Sequence, residues 1–190
     1  MNKKILNIAS WDDTRGTHFI DVYPTRPEVK KWDINKHNSK LPYEDNFFDE
    51  VLCFGFLEHS SNVGMLLQEI HRILKKRGKV RITTDNANYW VFANWNSVHR
   101  WGTLRNPGFY EDNHLSLFTD RHLFNLLRYY NFKPINLEYK YIKEFSGSIV
   151  RQTIKRVINT IFKHTFLNKF VYRGLNIDGI KKEEDERDEN

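Results

Sequence analysis

The stretch from Leu41 to Thr84, LPYEDNFFDEVLCFGFLEHSSNVGMLLQEIHRILKKRGKVRITT, constrains the fold more than any other part of this chain, because it reads as strand, helix, turn and strand in succession. Asp49 precedes an apolar strand, Val51 to Phe56, which ends in Leu57-Glu58-His59. Ser60, Ser61 and Asn62 can cap a helix whose apolar positions Met65, Leu66, Ile70, Ile73 and Leu74 recur at helical spacing. Arg77-Gly78 is expected to close that helix, and Val80 and Ile82 to open the next strand. Such a unit belongs to an open α/β sheet, and ligands of these sheets bind outside the carboxyl ends of the strands. Glu58 and His59 stand at one such end, Asp85 and Asn86 at the next.

The order LP-Y-EDN-FFD, an apolar strand closing in LEH, an EIHRILK helix and G-KVRIT resembles the small S-adenosylmethionine (SAM)-dependent methyltransferases with a methyltransferase-11-like core. The resemblance covers roughly the first three quarters of the chain. Its order and spacing carry more than any single motif. A second match lies downstream, where His114-Leu115-Ser116-Leu117-Phe118-Thr119, then Leu123, Leu126, Leu127 and Asn131-Phe132, is similar to that family's late helix and the turn into its sixth strand. The fold implied is α/β and Rossmann-like, with a mostly parallel sheet and one antiparallel late strand. For that last part, Pro134 to Tyr141 and Leu175 to Ile180 read as the final two strands.

Before Leu41 the chain departs from the family pattern. Lys4 to Ala9 reads as a first strand and Thr17 to Asp21 as a second. In the resembled enzymes the first strand runs into a Gly-rich loop that lets backbone N–H groups approach the cofactor. Here the matching residues are Ala9-Ser10-Trp11, and Gly16 is the sole glycine before Gly55. Ser10 to Gly16 is seven residues, fewer than the dozen or so that a helical parallel crossover takes. The first crossover helix is therefore expected to be missing.

The resemblance implies SAM as cofactor, with Ala9, Ser10, Trp11, Asp21, Asp33, Ile34, Leu57 and Glu58 as its binding residues. Asp21, at the end of the second strand, can accept hydrogen bonds from both ribose hydroxyls; the alternative is a turn-capping Asp before Tyr23-Pro24. Asp33 follows the short run Val29 to Trp32, and its family counterpart contacts the adenine amino group while Ile34 packs on the ring; a plain surface turn is the alternative. His59 and His114 are the candidate catalytic bases, since imidazole moves protons near neutral pH, although His59 could instead cap the next helix. His71, His99 and His122 show no ligand spacing with Cys or acidic residues, so no metal site is expected.

Between Asp85 and Thr119, the residues Asn86, Asn88, Tyr89, Trp90, Trp95, His99, Arg100, Trp101, Tyr110, Glu111 and His114 read as a group as an aromatic lid over the acceptor, the alternative for any single Trp being a ring that covers the sheet edge. The net charge is +6, and from Phe145 to Leu175 the bases Arg151, Lys155, Arg156, Lys163, Lys169 and Arg173 occur without a single Asp or Glu. In the same segment Val150, Ile154, Val157, Ile158, Ile161, Phe162, Leu167 and Phe170 fall near helical spacing. Such a helix can pack on its own domain, lie on an anionic membrane or track a nucleic-acid backbone.

The expected organisation is a single domain over residues 1–182, with 149–171 as a basic amphipathic helical insertion and 183–190 as a disordered acidic tail. Cys53 is the one cysteine, which excludes an internal disulfide and points to a reducing, cytoplasmic setting. The Met1-Asn2-Lys3-Lys4 start leads into a strand rather than a leader, and no apolar run approaches the ~20 residues of a membrane span. The implied function is methyl transfer to an O or N acceptor, either a small molecule or a lipid-linked one. The rival reading, favoured by the missing glycines, is a methyltransferase-like scaffold that has lost catalysis.

Overall fold

Strands buried on both faces need apolar residues at nearly every position, and the centre of this sheet meets that demand. In the computed structural model, which describes residues 2–89, 114–140, 149–162, 165 and 167–183, Leu6, Ile8, Val51, Cys53, Val80 and Ile82 have no exposed surface. They belong to β1 (Ile5–Ile8), β4 (Phe48–Phe54) and β5 (Leu74–Asp85). β2 (His18–Asp21) and β3 (Val29–Lys31) extend the sheet on one side, β6 (Phe132–Lys140) and β7 (Gly174–Lys181) on the other.

The seven strands run in the order β3-β2-β1-β4-β5-β7-β6. β1 is parallel to β2 and β4, with Ile8 opposite both Ile20 and Cys53. β7 lies antiparallel between β5 and β6, with Ile177 opposite both Ile82 and Leu137. The mostly parallel sheet with an antiparallel late strand is thus as the sequence implies.

The chain from 9 to 17 is irregular and contains no helix, in line with the short Ser10 to Gly16 interval. The crossovers 22–28 and 32–47 are also built without helix. Only two crossovers among the described residues carry helices that pack on the sheet, α1 (Val63–Ile73) and α2 (Asp120–Tyr129).

α1 starts where Asn62 Oδ1 accepts the Met65 backbone N–H, and it buries Leu66, Leu67, Ile70 and Ile73. Met65, read from spacing as a core position, is 41% exposed. The helix also ends earlier than Arg77-Gly78. Leu74 is already extended and pairs with Phe48, after which the β4–β5 register jumps to Glu50 opposite Lys79. The residues between bulge, with Arg77 in the left-handed region at φ 58°. Gly78 is required there for space, because a Cβ would meet the Lys75 carbonyl oxygen at 2.8 Å.

α2 is capped by Thr119, whose Oγ1 accepts the His122 N–H, and it buries Leu123 and Leu127 against the sheet. Asn131, at φ 60°, turns the chain into Phe132 and β6. The basic segment forms α3 (Ile149–Phe162) followed by the single turn α4 (Asn168–Val171). Glu183, assigned to the acidic tail by composition, makes an ion pair with Arg77 at 3.0 Å. Residues 184–190 lie outside the described residues.

Candidate functional site

Parallel strands deliver their carboxyl ends to one rim, and the rim at β2-β1-β4-β5 collects most of the polar residues named from sequence. Ser10 follows β1 and is 2% exposed, and its Oγ has no hydrogen-bond partner among the described residues. On either side of it Ala9 and Trp11 take left-handed backbone, at φ 53° and 44°. That region costs an L-residue free energy and is the one glycine enters without strain. Two non-glycine residues of this turn thus occupy backbone that glycine enters more readily.

Asp21 holds this turn in place. Its Oδ2 accepts the Trp11 N–H at 2.9 Å and its Oδ1 accepts the Tyr23 N–H at 2.8 Å. The turn-capping role is thus realised, and each carboxylate oxygen keeps a second lone pair. Asp21 is 7% exposed. Thr25 Oγ1 donates to the Trp11 carbonyl and Arg26 donates to the Asp12 and Asp13 carbonyls, so the β1–β2 and β2–β3 loops are fastened together.

Asp33 caps a turn of its own, with Oδ1 accepting the Lys36 N–H and an ion pair to Lys36 at 3.7 Å. Ile34, at 4% exposure, and Leu57, at 0%, are turned into the hydrophobic core. Asn35, which the sequence reading passed over, bridges this loop to the end of β4 by donating to the His59 carbonyl and accepting the Ser61 N–H.

After β4, Gly55 at φ 62° reverses the chain into a 3-10 turn, Leu57–His59. The Glu58 carbonyl accepts the N–H groups of Leu115 and Ser116 at 2.7 and 3.2 Å. This clamp brings His114 beside Glu58 and His59 from 55 positions along the chain. The His59 and His114 rings meet edge to face with centroids 4.7 Å apart. One ligand-type atom from each of Glu58, His59 and His114 lies within 4.8 Å of the other two.

Two further residues complete the cluster. Asp85 Oδ2 is 3.9 Å from His114 Nδ1, and Arg173 grips the Asp85 carboxylate through Nε at 3.1 Å and Nη2 at 2.9 Å. Asn86, fully buried, donates to the Lys169 and Tyr172 carbonyls and so anchors the segment after α3 to the same strand end. Burial, with the Asp85 charge adding to it, pushes the Glu58 carboxyl above the ordinary carboxylate range. Glu58 is 4% exposed, and its Oε2 has no hydrogen-bond partner among the described residues.

Of the other residues assigned to the acceptor lid, Asn88 donates to Asp120 and Tyr89 is 4% exposed. Trp90, Trp95, His99, Arg100, Trp101, Tyr110 and Glu111 lie outside the described residues. Arg173 was seen in the sequence only as one base among several. Its pairing with Asp85 is a product of the antiparallel β7 beside β5, where Asp85 stands opposite Gly174.

Comparison with known proteins bears on what such a rim does. A family profile described as a methyltransferase domain matches residues 9–137. An uncharacterized protein of Methanocaldococcus jannaschii is 50% identical over 63 residues, a match that takes in 33% of this chain and 28% of that protein. The match therefore spans well under half the length of this curated relative. Among solved structures, a SAM-dependent methyltransferase from Archaeoglobus fulgidus is similar with a TM-score of 0.61 at 17% identity, covering 94% of this chain and 86% of the other. A SAM-dependent methyltransferase from Methanosarcina mazei gives the same TM-score at 15% identity, with 95% and 93% covered.

Proposed function

Since the chain belongs to the methyltransferase-domain family, we propose that it transfers a methyl group from S-adenosyl-L-methionine to an oxygen or nitrogen nucleophile. The cofactor of the family supplies an activated methyl on a sulfonium. The protein's share of such a reaction is to align donor and acceptor and to keep water out. The observation that carries the reading is the turn 9–11, whose left-handed Ala9 and Trp11 flank the buried Ser10 hydroxyl at the end of β1.

These residues fit the cofactor. Backbone N–H groups and the Ser10 hydroxyl would border its methionine part, and the Asp21 carboxylate, at the adjacent strand end, would accept from its ribose hydroxyls. Asp33 would serve the adenine side, while Ile34 and Leu57 support the wall from within the core. Glu58 would border the cofactor, and His59 and His114 would stand beside the acceptor as its candidate bases.

Calorimetry with S-adenosylhomocysteine tests this. A single site is expected, weakened by roughly 1.5–3 kcal/mol in Asp21→Ala through loss of charge-assisted hydrogen bonds. Absence of heat and of a thermal shift at millimolar ligand would reject the enzyme and leave the scaffold.

A specific observation also favours an anionic membrane surface as the working place. On α3, Ile154, Val157 and Ile161 share one helical face and are 52%, 52% and 61% exposed. An apolar face turned outward in a segment rich in bases and free of acids suits interfacial binding, at about 1 kcal/mol per basic residue near anionic lipid. No helix among the described residues is long and apolar enough to cross a membrane. A lipid-linked acceptor would suit such a position. Sedimentation with vesicles should require anionic lipid, weaken with salt, and fall when Lys155, Arg156 and Lys163 are changed to Gln. Equal recovery with neutral and anionic vesicles would reject it, and salt-sensitive binding to duplex nucleic acid instead would assign the face to a phosphate backbone.

A further inference from the structure

We propose that Glu58, His59 and His114 form a binding site for one divalent transition-metal ion. The three come from two segments that the fold clamps together, since the Glu58 carbonyl holds the N–H groups of Leu115 and Ser116. Their ligand atoms all lie within 4.8 Å of one another. Around a metal bound at about 2.0–2.2 Å, such atoms sit roughly 3–3.5 Å apart, so a shift of about an ångström in side-chain position closes the site.

Charge supplies the independent reason. A carboxylate oxygen in a low-dielectric pocket needs a donor or a cation, and an unmatched one is costly. Glu58 is 4% exposed; the Thr84 side chain and its own backbone N–H lie against the carboxyl, but its Oε2 completes no hydrogen bond among the described residues. Arg173, the base at the neighbouring strand end, is committed to Asp85 through two nitrogens. Asp85 in turn places its carboxylate 3.9 Å from His114 Nδ1, so its negative charge faces that ring without hydrogen-bonding to it. An acidic group behind a ligating imidazole is the usual support for a metal-bound histidine.

Donor chemistry narrows the ion. Two imidazole nitrogens and one carboxylate suit Zn(II), Mn(II) or Fe(II), whereas Ca(II) and Mg(II) prefer all-oxygen surroundings. Three ligands on one side leave open positions for an outside oxygen. Resting on the methyl-transfer reading, this selects an acceptor that binds the ion through a hydroxyl. In the metal-bound form the ion's Lewis acidity would lower the acceptor's pKa, and this replaces the base role given to His59 and His114 above, because ligated imidazoles cannot take a proton.

The test uses the full chain stripped of metal, with no methyl donor present. Titration with Zn(II) by calorimetry and with Co(II) by visible absorption should show one equivalent bound, with Co(II) bands typical of nitrogen and oxygen ligands. His114→Ala and Glu58→Gln are each expected to weaken binding by at least about tenfold, and Asp85→Asn by less. His114→Gln serves as a second variant should the alanine form fail to fold, with circular dichroism as the check. Failure of the unmodified chain to bind one equivalent would overturn the site, as would unchanged affinity in a folded His114 variant. S-adenosylhomocysteine binding by the same metal-free protein reports on the methyltransferase reading separately, so each can fail without the other.

Discussion

The two halves of the sheet solve the same problem, joining parallel strands, by different chemistry. Between β4 and β6, α1 and α2 do it by burying Leu66, Leu67, Ile70, Ile73, Leu123 and Leu127. Between β1 and β4 the crossovers 9–17, 22–28 and 32–47 have no helix; 32–47 sends Ile34 and Leu41 into the core, and all three are stitched by directional polar contacts: Asp21 to two backbone N–H groups, Asn35 to His59 and Ser61, Ser39 to Asn62, and Arg72 to the Leu41 and Tyr43 carbonyls. Apolar burial supplies most of the free energy, yet it is non-directional. Hydrogen bonds contribute less each, but they fix the backbone at the positions where a ligand must be met. The polar half carries the turn 9–11, and the apolar half holds the sheet that presents it.

If that division is right, the largest loss of stability comes from the apolar half. Ile70 is fully buried between α1 and the sheet. Ile70→Ala should cost about 2–5 kcal/mol in urea unfolding, through lost burial and the cavity left behind. Affinity for S-adenosylhomocysteine in the folded protein should stay near that of the unmodified chain. A loss under about 1 kcal/mol would mean that α1 is not a principal support.

Arg72 joins the halves, standing on α1 while it holds the crossover 32–47. It donates to Glu69 and Asp45 as well as to the two carbonyls, and Leu41 N donates to Glu69. Arg72→Met keeps the apolar stem and removes every one of the guanidinium's bonds. A loss of about 2 kcal/mol is expected, with faster amide exchange confined to 32–47. Exchange that rises equally in α2 would break the comparison, since it would show one cooperative unit.

What the sequence disclosed follows the same division. Helix α2 and the turn into β6 were read through the family resemblance carried by Leu123, Leu126, Leu127 and Asn131-Phe132, whereas strand β4 and helix α1 were legible because apolar spacing reports burial directly, as at Leu66 and Ile70. The same signal overran at Leu74, which continues the helical period but begins a strand, and misplaced Met65. In the polar half, spacing says little. The short Ser10 to Gly16 interval revealed one missing helix by length alone, whereas nothing periodic marks 22–28 or 32–47 as irregular. At the site, Glu58 and His59 were visible as a strand end. The approach of His114, the Asp85–Arg173 pair and the Asn35 bridge are tertiary contacts between segments with no shared local pattern.

Acid should weaken the junction before the core. Burial acts to raise the Glu69 carboxyl, but hydrogen bonds from Arg72 and from Leu41 N, with the Arg72 charge, outweigh it and hold it below the ordinary carboxylate range. A folded pKa below the unfolded value, near 4.3, means that the contribution is present above that pH and is lost as pH falls through the folded value. Glu69→Gln should therefore be less stable than the unmodified chain at pH 7, by under about 1 kcal/mol for a partly exposed pair. The gap should close in strong acid. A gap that is constant with pH would assign the loss to shape rather than charge.

The smallest effect tests the turn itself. Ala9 sits at φ 53°, where an L-residue is strained by roughly 1–2 kcal/mol and glycine is not. Glycine also loses more freedom on folding, about 0.5–1 kcal/mol, so most of the relief is offset. Ala9→Gly should accordingly leave stability unchanged or raise it by about 0.5 kcal/mol, whereas glycine at a strand interior would lower it. A loss beyond about 0.5 kcal/mol would mean that Ala9 is not left-handed in solution. The substitution also restores the residue type that the resembled enzymes use in this loop, without altering the Asp21 bonds that hold Trp11 and Tyr23. Tighter binding of S-adenosylhomocysteine by Ala9→Gly would show that the polar stitching preserves the turn while leaving some of its strain to be relieved. Unchanged binding would mean that Asp21 alone sets the backbone and that the glycine was dispensable once the loop was tied.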